Sequence, residues 1–335
     1  MPSDPILLTV AIPTFNRPDQ LTRCVELLRA QTDKRFKLLI LDNASSTPAA
    51  LAIKAVTSDW PELDLRVIRH SINVGGDANI LRCFEICETE YLWVLGDDDD
   101  PLPTAIETIL STIQANHDLL FCNFACELYA RSTESASKGL DEFIASIDSY
   151  SNVLFISTSV FRRNAVVQFL PWAYHYMYSM ASHLVLLLLA LQSQPGTCLL
   201  LQSRIVQWNL PPNGISWSGV RQLLGLGILL DLPLSARGRR RLAYLATSPR
   251  ALEYITVQLL AFVEKAGDRQ RAYHVFDQIR YRLLRQSGRR TIGVRFFFYR
   301  HFLFRFPALG IALFRLFARI AGRGAMAFDF RDPFR

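Results

Sequence analysis

Cysteine is sparse in this chain and follows no obvious framework. Cys24, Cys83, Cys87, Cys122, Cys126 and Cys198 are scattered through 335 residues, which argues against a disulfide scaffold. Long apolar runs are also missing, since Leu184 to Leu191 falls far short of the ~20 residues that a membrane span needs. No basic segment leads into the apolar stretch Ile6 to Ile12, which Pro13 ends after seven residues. No secretory leader is therefore expected, and a reducing cytoplasm is. Cys83 and Cys87 are four apart, as are Cys122 and Cys126. A four-thiolate zinc site is one reading; thiols packed as small hydrophobes is the favoured one, because zinc ribbons usually use two-residue gaps on turns.

Apolar side chains make up 50% of the chain, enough for one large core or two ordinary ones. Charge is segregated along it. Residues 1 to 120 carry 10 Lys+Arg against 18 Asp+Glu, and residues 121 to 335 carry 27 against 12. The net charges of −8 and +15 should suit different partners.

Leu7 to Pro13 is an unbroken apolar run of the kind that forms a strand covered on both faces. Asn16-Arg17-Pro18 then predicts a turn and a helix start, with Leu21, Cys24, Val25 and Leu28 on one helical face. Lys37 to Leu41, Leu65 to Arg69 and Tyr91 to Leu95 read as three further strands, and Ile80, Cys83, Phe84 and Cys87 mark a second helix face. Strand and helix in alternation imply an α/β fold with a largely parallel sheet and crossover connections. Ligands of such sheets bind beyond the carboxyl ends of the strands. The segments there are all polar: Thr14 to Arg17, Asp42 to Ser45, His70 to Asp77, and Gly96 to Asp100. Farther on, Gly139 to Ile147 predicts a short helix, Val153 to Phe161 a strand, and Ser182 to Leu191 a buried helix.

Four adjacent carboxylates at a buried strand end repel one another unless a cation joins them. Oxygen ligands of this kind suit Mg or Mn, which leave coordination positions for substrate phosphates. The alternative is a solvated acidic turn capping the next helix, and Asp100-Pro101 fits a helix start well. Asp100 is therefore assigned to structure and Asp97, Asp98 and Asp99 to function, with Asp99 and Asp97 as the metal ligands.

IPTFNR at 12 to 17, LDNAS at 41 to 45, Asn73-Val74-Gly75-Gly76 and LGDDD at 95 to 99 resemble, in order, the motifs of glycosyltransferase family 2, over roughly the first 125 residues. The resemblance implies the GT-A fold, a Rossmann-like sheet flanked by helices, and transfer of a sugar from a nucleotide-diphosphate donor with Mn or Mg. It also implies roles for matching positions. Thr14 and Asn16 would line the nucleotide pocket, Asp42 would accept a hydrogen bond from the base, and Gly75 and Gly76 would let the backbone pass close to the sugar diphosphate. Asp97 would approach the ribose or the metal, Asp98 would lie with them on the donor, and Asp99 would bind the metal. The local alternatives are turn and capping roles for Thr14 and Asn16, an Asx turn from Asp42 to Ser45, and a tight loop at the glycines. Asn79 is read as solvated.

Members of the family usually supply a general base from a Glu-Asp pair in the second half, and no such pair occurs after residue 100. Ser179 to His183 stands at the corresponding place. His183 resembles the histidine of a subset that builds bacterial surface polysaccharides, and it can act as a base; a buried structural histidine is the other reading. The expected layout is a donor-binding half at 1–125, an acceptor-binding half at 126–225, and a helical basic region at 226–335.

Residues 280 to 335 contain 13 Arg, no Lys and 2 Asp. In Phe296 to Ala318, large apolar side chains alternate with Arg300, Arg305 and Arg315, which suits helices lying in a membrane surface with the arginines at anionic headgroups. Peripheral attachment through residues 290–320, on the inner face of the cytoplasmic membrane, is expected. The acceptor would be a lipid-linked or free saccharide. Packing of these helices on the core competes with membrane attachment, and no nucleic-acid motif accompanies the arginines. For the whole chain, the rivals are a sugar-nucleotide nucleotidyltransferase, against which no glycine-rich, arginine-containing loop follows the first strand, and a non-catalytic sugar-nucleotide-binding protein.

Overall fold

The computed structural model describes residues 6–126, 130–209, 219–288 and 290–320. The chain forms two compact units, one of residues 1–177 with 181–212 and the other of residues 178–180 with 213–335.

The first unit is α/β. Its strands are β1 (Leu8–Thr14), β2 (Phe36–Asp42), β3 (Leu65–Arg69), β4 (Tyr91–Val94), β5 (Asp100–Pro101), β6 (Leu119–Asn123), β7 (Ser135–Lys138), β8 (Ser159–Arg162), β9 (Thr197–Leu200) and β10 (Val206–Gln207). Eight of them form one sheet in the order β3-β2-β1-β4-β8-β6-β9-β7, while β5 pairs with β10. β3, β2, β1 and β4 run parallel, β8 is antiparallel to both neighbours, and β9 is parallel to β6. The chain steps outward from β1 through β2 to β3 and then returns to β1's other side as β4. The carboxyl ends of β1 and β4 therefore flank a topological switch point, where such sheets hold ligands.

Burial explains the strands. β1, β2 and β4 are apolar because helices cover the sheet there, and Leu8, Val10, Ile12, Leu38, Ile40 and Trp93 are buried in one cluster. The helix Pro18–Arg29 begins with proline in its first turn and turns Leu21, Cys24, Val25 and Leu28 inward, the face that the sequence predicts. Phe84, Phe121, Phe143 and Phe161 meet in edge-on or tilted pairs 5.0–5.7 Å apart, each worth about 0.5–1.5 kcal/mol beyond its burial. All six cysteines are buried and none is in a disulfide, so they pack as small hydrophobes.

Four expectations are corrected. Asp100 does not cap the next helix: it lies in β5 opposite Gln207. Pro101 and Pro103 delay that helix to Ala105–Ala115, whose cap position is Thr104. The run from Val153 to Phe161 is a strand only from Ser159; before it stand the helix Tyr150–Leu154 and a 3-10 turn, Ile156–Thr158. Short apolar runs do not distinguish the two periods, and here local hydrogen bonds decide, with Thr158 Oγ1 donating to the Phe155 carbonyl at 2.7 Å. Asn79 is not solvated but 2% exposed, because its amide donates to the Leu41 carbonyl at 2.9 Å. Arg300, assigned above to headgroups, is bound within the protein. Its guanidinium donates twice to Asp277 at 2.8 Å and lies over the Tyr273 ring.

The second unit is helical: Gly219–Ile228, Ala236–Ala246, Pro249–Ala266, Arg269–Ile279, Arg290–His301 and Pro307–Ile320 are its longer helices. Ser235 and Asp268 cap two of them, accepting from Gly238 N at 3.0 Å and Arg271 N at 2.9 Å. Among the described residues, no helix is long and apolar enough to cross a membrane.

Candidate active site

The polar strand ends converge as the sheet topology requires. β1 ends in Thr14, whose Oγ1 donates to Asp97 Oδ2 at 2.7 Å across the switch point. Asn16 adopts a left-handed conformation (φ 55°), and its side chain accepts from Ser46 N at 2.7 Å, which ties the β1 turn to the β2 turn. Asn43 joins the next loop, its Nδ2 donating to Asn73 Oδ1 at 2.8 Å and its Oδ1 accepting from Val74 N at 2.9 Å. Gly75 stands at φ 90°, a conformation that disfavours side chains. A Cβ added at Gly75 or Gly76 would meet nothing within 4 Å, so the surroundings leave backbone there open to a ligand.

The β2 aspartate is held differently. Asp42 is 1% exposed and accepts from Ser45 N at 2.8 Å, Ala49 N at 3.0 Å and Arg69 Nη1 at 3.1 Å. Asp42 thus does bind the turn to Ser45, three residues on. Burial alone would raise its pKa, but these donors outweigh burial and hold it below the ordinary carboxylate range.

Asp97 and Asp99 are each 4% exposed, whereas Asp98 is half-buried. Asp97 Oδ1 accepts from Arg17 Nη1 at 2.8 Å, and the same nitrogen donates to Asp98 Oδ2 at 2.7 Å. Asp99 has a different partner, accepting from Ser157 Oγ at 2.6 Å, while Ser157 Oγ accepts from Gly96 N at 2.9 Å. Asp100 pairs with Arg23. Burial raises the pKa of Asp97 against the pull of Arg17. It raises Asp99 to about 7, with repulsion from Asp98 and Asp97 adding to burial and the Ser157 hydroxyl opposing it. Among the described residues, no three His, Cys, Asp or Glu side chains converge as a ready metal site. The donors suit an ion that takes one or two carboxylates and completes its shell from a bound phosphate. A buried carboxyl held near pH 7 is a group whose ionised form a cation would restore.

His183 lies in the first turn of the helix Ser182–Ser193, is 4% exposed, and has Nε2 3.2 Å from the Val153 carbonyl oxygen. Phe161 packs edge-on against its ring. Burial lowers its pKa to about 4, so the imidazole is neutral near pH 7.

Residues 9–165, which carry all these strand ends, match the sequence model of the family described as "Glycosyl transferase family 2". Over this stretch, a little under half of the chain, the protein is similar to glycosyltransferase family 2. A similar protein, the GalNAc(5)-diNAcBac-PP-undecaprenol beta-1,3-glucosyltransferase of Campylobacter jejuni, is 24% identical over 40% of this chain and 44% of its own length. The first curated relatives are matched over 33%, 36% and 40% of their lengths, so the shared part is well under half of each protein. Among solved structures, S. aureus TarS 1-349 in complex with UDP-GlcNAc superposes with a TM-score of 0.61 at 14% identity, covering 94% of this chain and 92% of that one. The mannosyltransferase PcManGT of Pyrobaculum calidifontis, in complex with GDP-Man and Mn2+, gives 0.50 at 10% identity, covering 94% and 86%. At these identities the likeness to solved structures is one of fold, the GT-A fold of family 2.

Two residues at the aspartate cluster escaped the sequence. Arg17 reads as a helix-start residue before Pro18, and Ser157 lies inside a run with strand character. Arg17 closes the IPTFNR motif but nothing there names its partner, and Ser157 carries no local signal, because only the fold brings them to Asp97 and Asp99, which are 80 and 58 positions away in sequence.

Proposed function

We propose that the protein transfers a sugar from a nucleoside-diphosphate donor to a hydroxyl of a saccharide acceptor carried on a lipid, with inversion at the anomeric carbon. The observation that carries this reading is the pairing of Thr14 with buried Asp97 across the β1/β4 switch point, beside a second buried carboxylate, Asp99. The nucleotide lies over the ends of β1 and β2, with Thr14, Asn16 and Asp42 on its base side. The diphosphate lies between Asp97, Asp98 and Asp99 and the open backbone at Gly75 and Gly76. Asp99 and Asp97 would hold Mn or Mg, and PcManGT, solved with GDP-Man and Mn2+, supports that choice of ion. Such an ion neutralises charge that grows on the leaving diphosphate. The acceptor oxygen attacks the anomeric carbon as the bond to the phosphate oxygen breaks, and a base takes the hydroxyl proton.

His183 is the proposed base. It is neutral near pH 7, and the carbonyl beside Nε2 selects the tautomer that leaves Nδ1 free to accept. Residues 126–225 then hold the acceptor.

Membrane attachment at the inner face completes the proposal, supported by the relative named for an undecaprenol-linked substrate and by exposed aromatics of the second unit. Phe297, Phe298, Phe302 and Phe306 are 41–51% exposed, and Phe298 stacks on Phe302 with ring centroids 5.1 Å apart.

The test is binding of UDP and GDP with and without Mn2+, followed by turnover of UDP- and GDP-sugars with lipid-linked acceptors. Metal-dependent binding that Asp99→Ala abolishes, together with transfer, is expected. Metal-independent binding unaffected by Asp99→Ala refutes the site, binding without transfer points to a non-catalytic sugar-nucleotide-binding protein, and pyrophosphate release from a nucleoside triphosphate points to a nucleotidyltransferase.

A further inference from the structure

One of the two aspartates proposed to receive the metal, Asp97, already shares with Asp98 a cation that belongs to the protein. Arg17 Nη1 donates to Asp97 Oδ1 at 2.8 Å and to Asp98 Oδ2 at 2.7 Å. The second oxygen of Asp97 accepts from Thr14. Both oxygens of Asp97 are therefore engaged, and an incoming ion meets an occupied carboxylate. The two partners differ in freedom. The Arg17 side chain is 30% exposed, whereas that of Asp97 is 5% exposed and fixed from its other side by Thr14.

The backbone on either side of Arg17 is constrained. Asn16 is left-handed and tied to the β2 turn through Ser45 Oγ and Ser46 N, and Pro18 fixes the first turn of the following helix. Any departure of the guanidinium is therefore a side-chain rotation about an anchored Cα. A guanidinium also suits both positions. It neutralises carboxylates in the donor-free protein, and its planar fork matches a phosphate, where the ammonium of lysine is only a point charge.

We propose that Arg17 is a displaceable counter-cation. In the donor-free protein it holds Asp97 and Asp98 together. As the donor binds, it releases both, leaving Asp97 to the divalent ion, and turns its fork onto the donor diphosphate. This inference rests on the nucleotide-sugar reading of the site and adds an exchange of cations to it. Arg17 acts on the reaction by positioning the diphosphate and by setting the affinity for metal.

The exchange predicts effects of opposite sign, which a merely structural ion pair does not. Calorimetry on the full chain would measure Mn2+ binding without nucleotide, then UDP and GDP binding at saturating Mn2+, for the wild type, Arg17→Gln and Arg17→Lys. Arg17→Gln should bind Mn2+ alone about twofold to fivefold more tightly, because a partly exposed ion pair no longer competes. The same variant should bind the nucleoside diphosphate about tenfold or more weakly, through loss of a charge-assisted contact. Arg17→Lys should recover part of the nucleotide affinity. Mn2+ affinity that stays unchanged or falls together with nucleotide affinity in both variants overturns the proposal. A wild-type chain that binds neither Mn2+ nor either nucleotide overturns the donor-site reading and this inference with it. Wild-type binding of both, with no opposed shift in the variants, sinks only the exchange.

Discussion

Replacing His183 with Gln tests the most exposed link in the mechanism through a quantity that the structure fixes. The imidazole is buried against Phe161 with Nε2 at the Val153 carbonyl, and burial lowers its pKa from 6.5 to about 4. In the unfolded chain it titrates near its ordinary value of about 6.5. Between those values the unfolded state binds a proton that the folded state refuses, so stability present above pH 6.5 is lost as pH falls toward 4. At about 1.36 kcal/mol per pH unit, the gap amounts to about 3 kcal/mol.

Urea unfolding of wild type and His183→Gln from pH 7 to pH 4 reads this directly. The stability difference between the two proteins should move by about 3 kcal/mol in favour of the variant across that window. Parallel stability profiles, or an imidazole resonance titrating near 6.5, would refute the burial argument. The variant's kinetics then separate the two roles. A general base contributes about 10²- to 10⁴-fold to the rate, so a well-folded His183→Gln with wild-type turnover at pH 7 removes this residue from the chemistry.

Gly96→Ala should be harmful despite adding one methyl, because its Cβ would lie 2.8 Å from Asp99 Oδ2 and 3.3 Å from Ser157 Oγ. A stability loss of about 1–3 kcal/mol and weaker Mn2+ binding are expected, and wild-type values for both would show that Asp99 is freer than its hydrogen bond implies. Asp42→Asn removes the charge that Ser45 N, Ala49 N and Arg69 stabilise and should cost about 1–3 kcal/mol. Since those interactions hold the Asp42 pKa low against burial, the cost should fade as pH drops through the folded value; a constant deficit down to pH 2 in thermal melts would contradict this. Phe298→Ser with Phe302→Ser should cut cosedimentation with phosphatidylglycerol-containing vesicles at least tenfold, by the usual value of a buried phenylalanine. Equal binding by variant and wild type would exclude that surface.

Membrane attachment looks different once Arg300 is placed. The sequence shows thirteen arginines after residue 279 and invites assigning their charges to headgroups, but Arg300 is bound to Asp277. Exposed phenylalanines, rather than arginines counted from the sequence, define the surface to test.

The sequence by itself determined the strands β1 to β4, the inward face of the helix Pro18–Arg29 and the polar character of the strand ends. These follow from side-chain periodicity and from burial on both sides of a parallel sheet, which are properties of adjacent residues. Only the tertiary structure decided what those ends do to one another. It placed Thr14 against Asp97, bridged Asp97 and Asp98 through Arg17, turned Asp99 toward Ser157, moved Asp100 from a helix cap into a strand pair, and buried Asn79 and His183. Hydrogen bonds and desolvation act between atoms that the fold brings within ångströms, whatever their distance along the chain. The charge state and partners of the four aspartates therefore became legible only when the strands carrying them stood side by side.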